Sequence, residues 1–371
     1  MCPRLSFRPL VGLFTALAAS LPSNAQSALT GDASAVSSVI SASDPHFIYE
    51  GRFDDSDPSG PVVIWQASRI RYSFGGDLLS LKFADVHGQN FFDAEIDGRT
   101  SIVEVRENAP VRGANFTQLG EGRHQLVLFK RSEAAAGTAR FTGVSIAAGA
   151  SAAASTPPRT KVAFQFFGDS ITAGACNEDG TDDQWDDRQT HNNAKSYGAF
   201  TSAAFTADYR NVAVSGMGIA TGWVEPVAGQ IWDRVYPTSS SPRANLTTWT
   251  PDVIFINLGE NDDSFTKSKN QPFPSASYTS GYISLVQAIR SAYPKAQIVV
   301  LRGGMFGGAK SDRLRGPWEA AVTSLEANDA RVTHFVFDHW SSTHPRVTDH
   351  RAMADELIAW LKIQKFMAPY L

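Results

Sequence analysis

The sequence is poor in cysteine, with only Cys2 and Cys176 in 371 residues. Cys2 lies in a segment that we expect to be cleaved, so the mature chain would keep one cysteine and could form no internal disulfide. A protein without disulfides must be held together by its core, and this chain is long enough to build a large one. No neighbouring residue would activate Cys176, which favours a small packed side chain over a catalytic thiol.

Positive charge is also scarce. The chain has 33 Lys and Arg residues against 37 Asp and Glu residues, and its formal net charge is -4. The sequence therefore lacks the basic footprint of a nucleic-acid-binding protein, and no nucleic-acid partner is expected. With 43% hydrophobic and 19% charged residues, the composition is typical of a folded globular protein, and the length suits two domains.

Long hydrophobic runs are missing beyond the N-terminus, and the run found there is short. Arg4 and Arg8 precede an apolar stretch over residues 10–21, and small residues follow it. This order predicts a signal peptide over residues 1–25 and a secreted protein, periplasmic or extracellular, with an N-terminal membrane anchor as the alternative. After cleavage no membrane partner is expected, because no later stretch is apolar for long enough to cross a bilayer.

Residues 40–147 show the alternation of short β-strands and no convincing helix. Gly75-Gly76 separates two alternating runs and predicts a hairpin, and Asp97-Gly98 predicts another. The pattern indicates an all-β sandwich that resembles a jelly roll. Residues 148–160 are rich in Ala, Ser and Pro, which is typical of a linker.

Residues 161–371 alternate apolar strands with amphipathic helices. The strands are predicted at residues 164–167, 211–214, 253–258, 298–301 and 332–337, and the helices at residues 196–207, 282–292, 317–327 and 350–366. Continuous apolar strands are buried on both faces, so we expect a three-layer α/β/α domain with a mostly parallel sheet. In such a domain the active site lies beyond the carboxyl ends of the strands.

Three short blocks follow predicted strands at that edge. Ser170 in "GDSITAG" could expose its hydroxyl at a strand-to-helix corner, or it could simply cap the helix. Gly216 in "SGMG" could bring a backbone N–H close to a substrate, or it could be an ordinary loop glycine. Asn261 in "GEND" could direct an amide to the same point, although Asn is also a common turn residue.

A fourth block, "THP", places His344 before the last predicted helix, where it could take the proton of Ser170. His334 and His339 are nearby competitors. The order Ser, Gly, Asn, His on successive strand ends resembles that of the SGNH hydrolases, also called GDSL esterases. Together with the β-rich region, the chain resembles the second family of carbohydrate esterases, acetyl esterases that act on plant polysaccharides such as xylan and mannan.

The resemblance implies a role for each block. Ser170 would be the nucleophile and His344 the general base, while the N–H groups of Ser170 and Gly216 and the side chain of Asn261 would form the oxyanion hole. The expected substrate is an acetylated polysaccharide or oligosaccharide, and neither a metal nor another cofactor is expected. The sequence leaves open the particular polysaccharide, the acetylated hydroxyl and the oligomeric state.

One part of the family pattern is missing. The superfamily commonly has an acid three positions before the histidine, where this chain has Ser341. We therefore expect a Ser-His dyad in which a backbone carbonyl orients the imidazole, with Asp338 as the alternative orienting acid. The acidic residues 177–187 lack the spacing of a standard calcium loop and are expected to form a solvated rim loop.

Residues that flank the blocks are candidate substrate contacts. We expect Asp169, Trp223 and Trp340 to contact the substrate, and the alternative for each tryptophan is core packing. Two other functions stay open: a lipase or thioesterase of the GDSL type, and a carbohydrate-binding protein with an inactive hydrolase domain. The sandwich either binds sugar itself or only supports the catalytic cleft.

Overall fold

In a computed structural model of the protein, residues 37–153, 155, 157 and 159–371 are described. The signal peptide predicted over residues 1–25 lies outside the described residues and stays a prediction. Among the described residues, no helix combines the length and the apolar composition that crossing a bilayer requires.

The first part of the described chain consists of antiparallel strands, as their alternating patterns predict. These are β1 (Ser37–Ser41), β2 (Ile48–Glu50), β3 (Phe53–Asp54), β4 (Val62–Val63), β5 (Arg69–Gly75), β6 (Leu79–Ile96), β7 (Arg99–Arg106), β8 (Asn115–Phe116), β9 (Arg123–Lys130), β10 (Gly137–Ala147) and β11 (Ala152–Ala153). The long strand β6 pairs with β10 in its first half and with β7 and β9 in its second half, so it connects the two parts of the sandwich. Buried side chains such as Tyr72, Phe92 and Phe141 fill the space between them.

The hairpin predicted around Gly75-Gly76 is wrong. β5 pairs with β9, whereas β6 begins against β10. Gly76 has a φ of +83° and passes the chain from one part of the sandwich to the other. The Asp97-Gly98 turn does join two paired strands, β6 and β7, with positive φ at both residues, as two-residue hairpin turns require.

The predicted linker is partly built into the sandwich. Strand β11 pairs with β5, with Ala152 opposite Phe74, and Gly75 donates a hydrogen bond to the Ser151 carbonyl. The low-complexity composition gave no sign of this pairing, because backbone hydrogen bonds to a sheet edge need no particular side chains. Part of residues 148–160 therefore forms a strand and is not a free connection.

The second part of the chain is an α/β domain. Its strands are β12 (Val162–Gly168), β13 (Ala207–Ala213), β14 (Val253–Asn257), β15 (Gln297–Met305) and β16 (Val332–Ser341). Its helices are α1 (Ser170–Ala173), α2 (Tyr197–Ala204), α3 (Ala228–Ile231), α4 (Glu260–Ser268), α5 (Ser275–Ala292), α6 (Phe306–Lys310), α7 (Asp312–Asn328) and α8 (Val347–Lys362), with short 3₁₀ helices at Arg188–Thr190, Asn193–Lys195 and Lys365–Tyr370. All five strands are parallel, in the order β13-β12-β14-β15-β16.

Both faces of this sheet are covered, which explains why its strands are apolar throughout. Ile254 and Ile256 of β14 belong to a core that includes side chains of α5 and α7. Val253 and Phe255 belong to a second core with side chains of α2 and α8. Alternate residues of one strand thus pack on opposite layers, and the three-layer arrangement predicted from the sequence is present.

Candidate active site

Ser170 stands at a sharp corner between β12 and α1. Gly168 ends the strand, and a Cβ there would come within 2.1 Å of the Thr172 Oγ1 atom, so the corner requires glycine. Asp169 caps the short helix by accepting a hydrogen bond from the Ile171 N–H at 3.1 Å. Ser170 therefore begins a helix and is not the residue that caps it.

The serine hydroxyl meets an imidazole that lies far away in sequence. Ser170 Oγ is 2.9 Å from His344 Nε2. His344 follows β16 and precedes α8, so parallel strands bring the two side chains to the same edge of the sheet. At this distance the imidazole can accept the serine proton directly.

The other imidazole nitrogen contacts a carboxylate that the sequence did not predict. His344 Nδ1 lies 2.6 Å from Asp183 Oδ2, and the His344 backbone N–H donates to the same oxygen at 3.2 Å. A backbone carbonyl was expected in this place, and that expectation is wrong. Asp338, the alternative acid, is exposed on β16, where its backbone N–H donates to Glu356.

Asp183 is held in its charged form. Partial burial alone would raise its pKa, but hydrogen bonds from His344 and Arg346 hold the pKa well below the usual range. An ionised carboxylate at Nδ1 fixes one tautomer of the ring and leaves Nε2 free to accept a proton.

Arg346 fastens the loop that carries Asp183. Its guanidinium donates to Asp183 Oδ1 at 2.7 Å. It also donates to backbone carbonyl oxygens on both sides of the site, namely those of Cys176, Gly180, Thr181 and His344. The rigid planar fork of arginine suits such a multiple contact. One side chain therefore ties Asp183 to the segment that carries His344.

The sandwich holds the same loop from the other side. Arg131 contacts Glu178 and donates to the Gln189 carbonyl at 3.0 Å. Two further sandwich residues contact the segment: Arg106 pairs with Asp187 at 2.8 Å, and Gln89 donates to the Asp186 carbonyl at 2.8 Å. Part of the acidic segment 177–187 is exposed, as expected of a solvated rim loop, but both domains also fix the segment in place.

The two predicted backbone donors of the oxyanion hole are unused. Gly216 has a φ of +82°, which favours glycine, and it follows β13. Within the described part of the chain, neither its N–H nor that of Ser170 has a hydrogen-bond acceptor. Two free N–H groups at this edge of the sheet are available to a substrate oxygen.

Asn261 lies in the first turn of α4 and connects two of the blocks. Its Nδ2 atom donates to Asp169 Oδ2 at 3.1 Å and to the Met217 carbonyl at 3.0 Å. Both amide hydrogens therefore have protein acceptors. Asn261 can donate to a substrate only if one of these hydrogen bonds is shared with the substrate or broken.

Asp169 does not have the predicted role of a substrate contact. Only 1% of the residue is exposed, and its two oxygens accept from Ile171 and Asn261. Burial raises the pKa of this carboxyl well above its ordinary value. Asp169 positions the helix start and the Asn261 amide instead.

Buried carboxylates fix the loop that contains Gly216. Glu133 of the sandwich accepts from the Ser215 N–H at 2.8 Å. Asp262 accepts from three consecutive N–H groups further along, those of Ile219, Ala220 and Thr221. Burial raises the pKa of Asp262 to about 6. No sequence pattern indicated this role of Asp262, because its three partners lie more than 40 residues away.

Aromatic side chains surround the site. Trp223 is 52% exposed, its indole donates to Ser264 Oγ, and its backbone N–H donates to the Gly216 carbonyl at 2.8 Å. The Trp185 ring stands edge-on to His344, with 5.0 Å between the ring centroids. Trp340 packs against Phe306 and is partly exposed. Substrate contact by Trp223 and Trp340 stays a prediction.

Cys176 is buried beside the site, where its sulfur donates to the Gln184 carbonyl. Burial raises the pKa of its thiol, which therefore lacks the thiolate character of a nucleophile. The ligand atoms of Cys176, Asp183 and His344 lie within 4.8 Å of one another. Since Asp183 and His344 are hydrogen-bonded to each other, this group suits proton transfer better than metal binding.

Two family models match the chain, one for each part. The model "Carbohydrate esterase 2 N-terminal" matches residues 49–158, and "GDSL-like Lipase/Acylhydrolase family" matches residues 166–360. The second match covers more than half of the chain and includes all four blocks.

Several proteins that are similar to the chain over most of its length are named as esterases. The cellulase/esterase CelE of Acetivibrio thermocellus is 31% identical to this chain over 330 residues. The matched region covers 86% of this chain but only 39% of CelE, so the chain spans well under half of that relative. An acetylxylan esterase / glucomannan deacetylase of Cellvibrio japonicus is 27% identical over 84% of this chain and 88% of its own length. A family two carbohydrate esterase of Clostridium thermocellum, solved with cellohexaose, is 29% identical over 85% of this chain and 98% of that structure, with a TM-score of 0.74.

Proposed function

Since the chain belongs to the GDSL-like lipase/acylhydrolase family and resembles family 2 carbohydrate esterases in both parts, it is a carboxylic ester hydrolase, and we propose that it removes acetyl groups from polysaccharides of the xylan or mannan type. The observation that carries the proposal is the 2.9 Å contact between Ser170 Oγ and His344 Nε2. We further infer that the protein is secreted, because the predicted signal peptide would take it to such a substrate.

In the proposed reaction, Ser170 Oγ attacks the acetyl carbonyl carbon while His344 Nε2 takes the serine proton. The tetrahedral intermediate then collapses, the sugar oxygen leaves with the proton from His344, and an acetyl-serine remains. Water, activated by the same imidazole, attacks this ester, releases acetate and restores Ser170. Asp183 supports the imidazolium that forms in both halves, so the orienting group is a side-chain carboxylate.

The Ser170 and Gly216 N–H groups would stabilise the negative oxygen of the intermediate. Asn261 would contribute the third donor, with the contact to Asp169 or Met217 shared or released as charge develops. Preorganised donors of this kind act on the transition state more than on the bound ester.

Replacing Asn261 with alanine should lower kcat for acetyl ester hydrolysis about 100- to 1000-fold, the usual cost of one oxyanion donor. Steady-state kinetics on 4-nitrophenyl acetate measures it, with the melting temperature as a check on folding. Asn328→Ala removes an exposed amide on α7 and is the matched control. A loss below about fivefold in a folded Asn261→Ala protein would remove this residue from the oxyanion hole.

The acyl group separates the proposal from a GDSL-type lipase or thioesterase. We expect acetyl esters to be hydrolysed at least about tenfold faster than octanoyl esters, a preference of about 1.4 kcal/mol. The exposed side chains beside the site support a sugar ligand, since Trp185 and Trp223 are 37% and 52% exposed and aromatic rings pack well on apolar faces of sugars. Faster octanoyl turnover would contradict the proposal.

The substrate itself is tested by measuring acetate release from acetylated xylan, glucomannan and peptidoglycan, with Ser170→Ala protein as the blank. Release from xylan or glucomannan is the expected result. If no acetyl ester is turned over, the alternative of a binding protein with an inactive hydrolase domain takes its place.

A further inference from the structure

A second cavity lies between the sandwich and the α/β domain. It has a volume of about 570 Å³ and includes none of the predicted catalytic residues in its lining. Trp249 and Tyr293 line it and precede β14 and β15, so it lies toward the amino ends of these strands. The candidate active site lies at the carboxyl ends. A ligand in this cavity would therefore not compete for Ser170.

The cavity contains an arginine without a carboxylate partner. Arg52 donates to the backbone carbonyls of Trp232 and Arg234 at 2.9 and 2.8 Å, and no acid within the described part of the chain pairs with it. Burial lowers the pKa of Arg52 to about 10, and the charge of Arg210 contributes to the same shift. A partly buried guanidinium is stabilised by an anion beside it. The cavity lining includes one carboxylate, that of the exposed residue Asp55, and it forms no ion pair with Arg52 among the described residues.

The neighbouring ion pairs do not remove this excess of positive charge. Glu50 pairs with Arg69 and Arg71, and Asp208 pairs with Arg69 and, at 3.9 Å, with Arg210. Asp208 also accepts a hydrogen bond from the Trp249 indole at 2.6 Å. Two carboxylates thus serve three arginines before Arg52 is considered, although the whole chain is negatively charged.

Two polar atoms of the lining are buried without partners. Ser68 Oγ, on a residue that is 2% exposed, and Arg210 Nε have no hydrogen-bond acceptor or donor among the described residues. Buried polar atoms are normally paired, but these two have almost no exposed surface, so they mark an unsatisfied polar wall behind the cavity and are not direct contacts for a ligand.

We propose that this cavity binds a sugar that carries a carboxylate, that is, a uronic acid residue of an oligosaccharide. The guanidinium groups of Arg52 and Arg210 provide charge for the carboxylate, since arginine is well suited to that planar group. Neutral groups that suit sugar hydroxyls line the same cavity, among them Asn245 and Thr248. The volume falls within the range of about 300–1,000 Å³ that small-molecule sites occupy.

Binding at this site needs no ester hydrolysis, so the proposal goes beyond the proposed function and does not depend on it. A uronic acid side group held here would keep the enzyme on a polysaccharide chain and raise the local concentration of acetyl esters.

The test uses the full chain with Ser170→Ala, so that no substrate is consumed. Isothermal titration calorimetry compares xylotriose carrying one glucuronic acid with plain xylotriose, at low salt and at 0.5 M salt, a concentration at which charges are strongly screened. We expect the acidic ligand to bind at least about tenfold more tightly than the neutral one, and its advantage to shrink in high salt.

Variants then locate the site. Arg52→Gln should weaken binding of the acidic ligand at least about tenfold and leave the neutral ligand unchanged. Arg52 also holds two backbone carbonyls, so Arg210→Gln is a second variant: this residue lines the cavity too, and the proposal gives its guanidinium the same role. Arg99→Gln, at the exposed start of β7, is the control for loss of one positive charge.

Two outcomes would overturn the proposal. Equal affinity for the acidic and neutral ligands would show that no carboxylate is recognised. Unchanged affinity in a folded Arg52→Gln or Arg210→Gln protein would place the ligand elsewhere, including the cleft beside Ser170. If the protein hydrolyses no ester but binds the acidic ligand as expected, the proposed function is contradicted and the cavity proposal stands.

Discussion

Replacing Ser170 with alanine should reduce acetate release about a millionfold, to the level of the uncatalysed background, because loss of the nucleophile has an effect of that size in a comparable serine enzyme. The substitution removes the atom that forms the acyl bond, and His344 then has no proton to take from it. Turnover of 4-nitrophenyl acetate and acetate release from acetylated xylan both measure the effect. Residual activity above about 1% would mean that another group attacks the ester.

The control for this prediction is a hydroxyl of the neighbouring block. Ser215 lies next to Gly216, and its buried Oγ has no hydrogen-bond partner among the described residues. Ser215→Ala removes the same atom from the same edge of the sheet without touching the proton path. We expect its kcat to stay within about tenfold of the original enzyme, so that a loss specific to Ser170 can be separated from a general disturbance.

Much of the site could be predicted because its blocks follow buried strands. The apolar runs at residues 164–167 and 253–258 indicate strands of one parallel sheet, and parallel strands end at a common edge. Ser170 and Asn261 come shortly after these runs, so the fold places the two residues close together. The contact of His344 with Ser170 follows from the same rule, although their sequence separation is 174 residues.

Asp183 could not be found in this way. It belongs to no strand end, and it reaches His344 because Arg346 and several sandwich residues hold its loop in place. These partners lie far away in the sequence, and no spacing rule relates them to the acid. Ser341 occupies the position where the family commonly has an acid. Its presence indicated that the usual orienting carboxylate is missing, but not which residue replaces it.

The other errors have a similar origin. Gly75-Gly76 correctly predicts a turn, but the partner of each strand is chosen by the packing of the whole sandwich, so β5 and β6 pair elsewhere. Asp169 belongs to the motif, which suggested substrate contact, yet its carboxylate points to the Asn261 amide. A local sequence pattern predicts where a residue lies in the fold better than it predicts which way its side chain points.

Replacing Asp183 with asparagine should lower kcat/KM for acetyl esters about 10,000-fold, the size of the same change in a serine protease triad. Asparagine can still accept a hydrogen bond from Arg346, so the loop should stay in place. The NH2 group of asparagine would then face His344 Nδ1, and it cannot accept a hydrogen bond from that atom as the carboxylate does. The substitution therefore favours the tautomer in which Nε2 already carries a proton. Kinetics across a pH range and the melting temperature separate this effect from unfolding.

Asp338→Asn is the matched control, because it makes the same change at an exposed acid of β16 that does not contact the imidazole. We expect this variant to keep most of its activity. If Asp183→Asn kept more than about a tenth of the activity, the histidine would not need the carboxylate, and the dyad oriented by a backbone carbonyl would explain the enzyme better. If Asp338→Asn instead lost as much activity as Ser170→Ala, Asp338 would orient the histidine in a conformation other than the one in which Asp183 lies 2.6 Å from the ring. The two substitutions, measured side by side, therefore decide which group orients His344.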